Sequence, residues 1–117
     1  MAFKFEDLRV WKEAMNLGEA GNAVAVKFPK LEMFNLTSQI MRAVDSIALN
    51  VAEGSAGQSN AENAKFIGYA IRSSCEVITC LHKAILRKYI KQDEFEMLYN
   101  QTEILFKMLN KYRTALH

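Results

Sequence analysis

The chain has 117 residues, half of them hydrophobic and 24% charged, with a single Pro and five Gly. That balance excludes a disordered or collagenous chain, the length fits one domain over 1–117, and about two-thirds of the unfolded surface can be buried without disulfides or metals. Fifteen basic and thirteen acidic residues leave a net charge of +2, which is not the footprint of a strongly basic nucleic-acid binder.

The spacing of apolar residues predicts four helices. In the first, over about 6–28, Val10, Ala14, Leu17, Gly21, Val24 and Phe28 step by three and four, with Leu8, Trp11 and Met15 widening the stripe. Asp7 is a candidate N-cap, and Pro29 follows the end. The second, over about 36–54, carries Leu36, Ile40, Ala43 and Ile47, with Asn35 as N-cap and Gly54 as C-cap candidate. Gly54 to Asn60 reads as the clearest loop. Ser59 with Glu62 forms a capping-box pattern at the start of a third helix, about 60–89, along Ala64, Ile67, Ile71, Ser74, Ile78, Leu81 and Ile85. Asp93 with Glu96 repeats the pattern before a fourth, about 93–116, along Phe95, Leu98, Thr102, Leu105, Leu109, Tyr112 and Leu116.

Stripes near a 3.5-residue period joined by short links predict an all-α fold, an antiparallel up-down-up-down four-helix bundle with a left-handed twist. Val26, Ile104, Phe106 and Met108 widen the apolar faces of the first and fourth helices beyond what one core needs, which points to self-association. Cys75 and Cys80 lie roughly 140° apart on one helix and cannot bridge each other; together with a start, MAFKFEDLRVW, that lacks an apolar leader core, they imply reduced thiols and a cytoplasmic location. No apolar run approaches the roughly 20 residues of a membrane helix, so no membrane partner is expected.

Gln39, Arg42, Ser46, Asn50 and Glu53 fall within roughly 80° of one another on the second helix, beside its apolar stripe rather than opposite it. Such a line is either a buried hydrogen-bond network that sets register or a ligand site, with the network the simpler reading. Ser73 and Glu76 on the third helix can face it across the bundle, and Glu53 beside Gly54 can accept N–H groups at the following helix start. The carboxylates Glu53 and Glu76 are the only support for a hydrolytic reading. His82 and His117 are the only histidines, no Glu-x-x-His pair exists, and no nucleophile–base pair or phosphate-cradling Gly loop is visible, so neither a metal nor another cofactor nor an enzymatic activity is expected.

Two basic clusters remain. Lys83, Arg87, Lys88 and Lys91 have no acid among them from 77 to 91, and Lys107, Lys111 and Arg113 have none from 104 to 117; Tyr89 and Tyr112 are interleaved. Cations with intervening aromatics suit phosphates and exposed bases, and identical subunits in a ring would multiply the patch. The competing reading is that Lys83 to Lys91 balance a helix C-terminus and the acidic start of the fourth helix, at Asp93, Glu94 and Glu96.

Phe5-Glu6-Asp7-Leu8-Arg9-Val10-Trp11, Phe28-Pro29, Glu32, Leu36-Thr37, Gln39, Arg42 and above all Leu49-Asn50-Val51-Ala52-Glu53-Gly54 resemble, in order and over nearly the whole chain, the 23S rRNA intervening-sequence protein family. The family's usual Ala-x-Gly-Ser-x-x-Glu is here Ala70 to Glu76, with Arg72 in place of the Gly, which implies a looser helix contact or an outward-facing position. The resemblance implies small bacterial four-helix bundles, encoded in intervening sequences of some 23S rRNA genes or elsewhere, with no associated enzymatic activity. A related branch accompanies diversity-generating retroelements, where it partners a reverse transcriptase as a basic pentameric barrel. The expectation is therefore a non-enzymatic homo-oligomer, a pentamer on the resemblance, that binds RNA or DNA through Lys83, Arg87, Lys88, Lys91, Lys107, Lys111 and Arg113. The alternative is a protein–protein adaptor with no nucleic-acid role.

Overall fold

The computed structural model describes all residues, 1–117, and contains four α-helices and no strand: α1 Arg9–Ala25, α2 Leu36–Ser55, α3 Asn60–Leu86 and α4 Gln92–Ala115. Short 3-10 turns at Lys4–Asp7 and Lys30–Glu32 precede α1 and α2. Each helix packs against its neighbours in sequence, and α4 closes on α1, so the four surround one core in a bundle 43 × 23 × 22 Å. The packing is antiparallel at each step. Gly21 meets Val44, Ser46 meets Ser73 and Gly54 meets Phe66, while His82 meets Phe95 and Asn63 meets Tyr112.

The expected stripes form that core. Val10, Leu17, Ile40, Ile47, Ile67, Leu81, Leu98, Leu105 and Leu109 are all buried in one contiguous cluster, as are most of their stripe partners. Trp11 is only half-buried, resting edge-on against Phe5 at 5.2 Å between ring centres. Among the residues that widen the stripes, Val26, Ile104 and Phe106 remain exposed.

The helix ends differ from the sequence reading in instructive ways. Asp7 does not cap α1: it lies in the 3-10 turn beside the N-terminal amine, at 3.7 Å, and Leu8 occupies the N-cap without a side-chain bond. α1 ends three residues short of Phe28, whose ring is needed in the core beneath the following turn. Asn35 stands at the N-cap of α2, but the capping acceptor is Glu32, whose Oε1 takes the Leu36 N–H at 3.3 Å and the Asn35 amide at 2.9 Å.

Gly54 is not a C-cap. It lies buried inside α2, and a Cβ there would stand 2.6 Å from Asn63 Oδ1 and 3.0 Å from Phe66 Cβ, so its lack of a side chain lets α2 and α3 close on each other. Ser59 caps α3 as expected, accepting the Glu62 N–H at 3.1 Å. α3 stops at Leu86, because Lys88 takes a left-handed conformation (φ 63°) and the Lys88 and Tyr89 N–H groups bond back to the Ile85 and Ala84 carbonyls at 3.0 and 2.9 Å. That is a Schellman ending with Lys where Gly is usual. At the start of α4 the capping acceptor is Glu94, which takes the Lys91 N–H at 3.0 Å, rather than the Asp93–Glu96 pair.

Candidate nucleic-acid interface

Lys83, Arg87, Lys88 and Lys91 cluster where α3 turns into α4, and the structure places acids among them. Arg87 Nη1 lies 3.2 Å from Glu32 Oε2, and the same oxygen accepts the Tyr89 hydroxyl at 2.7 Å. Glu32 is only 4% exposed. A carboxylate buried to that degree needs donors, and Tyr89, Arg87, Asn35 and the Leu36 N–H supply them. The Tyr89 bond, foremost, holds the Glu32 carboxyl below its ordinary value, against the opposing effect of burial. Lys27 binds Glu94 at 2.9 Å, and Glu94 is likewise held low, chiefly by the Lys91 N–H and then by Lys27. At this pole the exposed cations free of ion pairs are Lys83, Lys88 and Lys91, with Lys30 beside them in the turn before α2.

The second cluster is elsewhere. Lys111 follows Lys91 by twenty residues of α4, about 30 Å along the axis, so the two runs do not merge. Lys107 and Lys111 point to solvent. Arg113 turns toward α3 instead. Its Nε donates to the Ala64 carbonyl at 3.2 Å, and its guanidinium lies over Gly68, 3.5 Å from where a Cβ would be.

The anchored guanidinium forms one wall of a cleft of about 290 Å³, lined also by Lys65, Gly68, Tyr69, Arg72 and Asn110 and by no acid. Lys65 was not among the residues the sequence singled out, and Arg72 was noted only for its place in the motif, not as a phosphate contact. They are seven apart, two turns up one face of α3, and a search for runs of charge passes over them; only the approach of Arg113 from α4 makes them a cluster. Arg72 is exposed, the outward-facing of the two alternatives its place in the motif left open. One turn further along the same α3–α4 groove lies a second cavity of about 270 Å³, lined by Ile78, Tyr99 and Phe106 and by one acid, Glu103. Exposed His82 extends this apolar half, edge-on to Phe95 at 5.1 Å and to Tyr99 at 6.3 Å.

The polar line on α2 is not a buried network. Ser46 and Ser73 join α2 to α3 through a 2.6 Å hydroxyl pair, and the Asn50 amide donates back to the Ser46 carbonyl at 2.8 Å. Gln39, Arg42, Glu53 and Glu76 make no side-chain hydrogen bond, and the last three are exposed. The line sits at the outer edge of the α2–α3 seam, where water can satisfy it. With Ser46 opposite Ser73 and Gly54 opposite Phe66, Glu53 and Glu76 are about ten residues, or 15 Å, apart along the bundle. The two carboxylates on which a hydrolytic reading would rest are not brought together. No three His, Cys, Asp or Glu side chains gather as a metal site would need, and no helix is long and apolar enough to cross a membrane.

Fold and surface together define a small antiparallel four-helix bundle whose polar chemistry lies in its outer grooves and at its poles. The model of the 23S rRNA-intervening sequence protein family matches residues 6–111, and the chain belongs to that family. It is similar in fold to a crystal structure of a protein with unknown function from the S23 ribosomal protein family of Bacteroides thetaiotaomicron, at 22% identity over 90% of this chain and 95% of that one, with a TM-score of 0.81. No curated protein matches the chain.

Proposed function

We propose that this chain is a non-enzymatic, cytoplasmic, homo-oligomeric protein that binds RNA or DNA through the α3–α4 side of the bundle. The observation that carries the reading is the cleft in which Lys65, Arg72 and Arg113 converge with Asn110 and no acid intervenes. Three cations with an amide donor suit phosphate oxygens, and exposed Lys107 and Lys111 extend the positive surface along α4. Lys83, Lys88 and Lys91 form a second, weaker basic pole, while Arg87 is held by Glu32. Free thiols at Cys75 and Cys80 suit a reducing compartment.

Self-association is supported by apolar side chains left on the outside of α4, Met97 and Ile104, and by Val26 at the end of α1. Family resemblance favours five subunits. A ring would repeat the cleft and raise avidity without raising the charge of each chain.

The test is light scattering on protein purified at low salt, with the 260/280 nm ratio read across the same peak, followed by titration of a labelled rRNA fragment at several salt concentrations. An oligomer carrying salt-removable nucleic acid is expected. In R72Q/R113Q the slope of log affinity against log salt should flatten by about 0.7–0.9 for each phosphate that is no longer neutralised. A second reading, a protein–protein adaptor, is favoured by the cluster of Leu31, Met33 and Phe34 in the turn before α2, the last 92% exposed. A clean oligomer that shifts no nucleic acid at low salt would overturn the first reading and favour the adaptor.

A further inference from the structure

We infer that the α3–α4 groove takes single-stranded rather than paired nucleic acid, with phosphates in its cationic half and unpaired bases against its aromatic half; the inference rests on the nucleic-acid reading above. The two halves are adjacent cavities of one groove. Arg72 and Asn110 line the first, Cys75 and Phe106 the second, one helical turn apart on both walls. From Lys65 to Ile78 the groove runs thirteen residues of α3, about 20 Å, which holds no more than about six nucleotides at about 3.4 Å each.

Charge alone does not discriminate single from double strands; the floor does. Tyr69 in the cationic half and Phe106 in the apolar half keep 38% and 37% of their surface exposed, enough ring for a base to lie against, while Ile78 and Tyr99 make the rest of the second cavity apolar. A stacked duplex hides its bases inside and offers only its backbone to such a surface. Helices packed about 8–10 Å apart leave a furrow too narrow for a duplex to enter, so paired nucleic acid would touch the cationic rim and leave the rings unused. An unpaired strand can seat its phosphates on Arg72, Arg113 and Lys65 and turn a base onto Phe106, the combination of charge and stacking that serves single strands. Glu103, which lines the second cavity, disfavours phosphates in that half and leaves them to the cationic half.

The experiment is fluorescence anisotropy at low salt with four probes of one unstructured sequence: single-stranded RNA, single-stranded DNA, and the two corresponding duplexes. Wild-type protein is expected to bind the single strands at least tenfold more tightly, and F106L to cut that preference about tenfold. Phe106 is partly exposed, so Leu should be accommodated; far-UV circular dichroism checks the fold, and Y69L provides a second variant on the other half of the groove. A preference for one sugar over the other identifies the source of the strand and supports the inference equally. Duplex binding as tight as single-strand binding, or a preference that neither F106L nor Y69L moves, overturns the inference and leaves the nucleic-acid reading standing. Failure of all four probes to bind overturns both.

Discussion

The Tyr89 hydroxyl donates to Glu32 Oε2 at 2.7 Å, joining positions 57 apart in the chain and clasping the turn before α2 to the end of α3. Each partner changes the other's titration. Glu32 is held low, first by this bond and further by the Leu36 N–H, Asn35 and Arg87; Tyr89 is pushed up, first by the same bond and then by burial. The stabilisation from Glu32 is therefore present above the free carboxyl value of about 4.3 and is lost as pH falls through its lower folded value. That from Tyr89 is present below the free phenol value of about 10 and is lost as pH rises through its higher folded value. Urea melts of wild type and Y89F should differ most between about pH 5 and 9, with the gap narrowing on both sides. An equal gap at pH 3 and pH 7 would show that the ionised bond contributes nothing.

Tyr89 reaches Glu32 because the chain reverses at Lys88, the one non-glycine residue with positive φ. A lysine there carries a steric cost that glycine avoids, while glycine adds freedom to the unfolded chain. The native conformation is already left-handed and both Schellman bonds use backbone atoms, so the first effect should win. K88G is expected to stabilise the fold by about 0.5–1 kcal/mol in urea melts. K88A, which has neither advantage, should stay within about 0.5 kcal/mol of wild type.

Close helix approach depends on two glycines. At Gly21 a Cβ would stand 2.7 Å from Val44 Cγ1, and Val44 is fully buried with nowhere to move. At Gly54 the Asn63 side chain could swing away, but Phe66 Cβ at 3.0 Å and the Asn63 carbonyl at 3.1 Å belong to α3 itself. G21A and G54A should each cost about 1–3 kcal/mol, because a helix must shift to admit the methyl group. Wild-type thermal midpoints in both variants would show that the interfaces have slack.

The four helices were legible because their apolar residues repeat at helical spacing, a local property that Leu17, Ile47, Ile67 and Leu105 report without knowledge of the fold. The caps were less so. Asp7, Asn35 and the Asp93–Glu96 pair had the right residue types, but capping is decided by which acceptor the backbone turns inward, and Glu32 and Glu94 arrive from neighbouring positions. The α2 line showed its angle beside the stripe correctly. Whether that edge is covered depends on the breadth of the α3 side chains across the seam, and there only Ser73 reaches over. The cationic cleft was legible only by half: Arg113 belongs to a visible run, whereas Lys65 and Arg72 acquire meaning from a helix more than thirty residues later.

The two basic regions should separate in a binding assay. In the cleft, Arg113 is anchored through Nε to Ala64 and Arg72 makes no ion pair, so both present charge that a phosphate can take. At the other pole Arg87 is engaged by Glu32, and Asp93, Glu94 and Glu96 follow at the start of α4. K83Q/K88Q/K91Q should therefore weaken binding of an rRNA fragment less than R72Q/R113Q at the same salt, by roughly tenfold, the equivalent of about 1.4 kcal/mol. R87Q should act mainly on stability, lowering the thermal midpoint by uncovering one side of the Glu32 carboxylate. The reverse order, with the triple lysine variant losing more affinity than the arginine pair, would move the interface to the α3–α4 turn and return Arg72 to the role of a solvated surface charge.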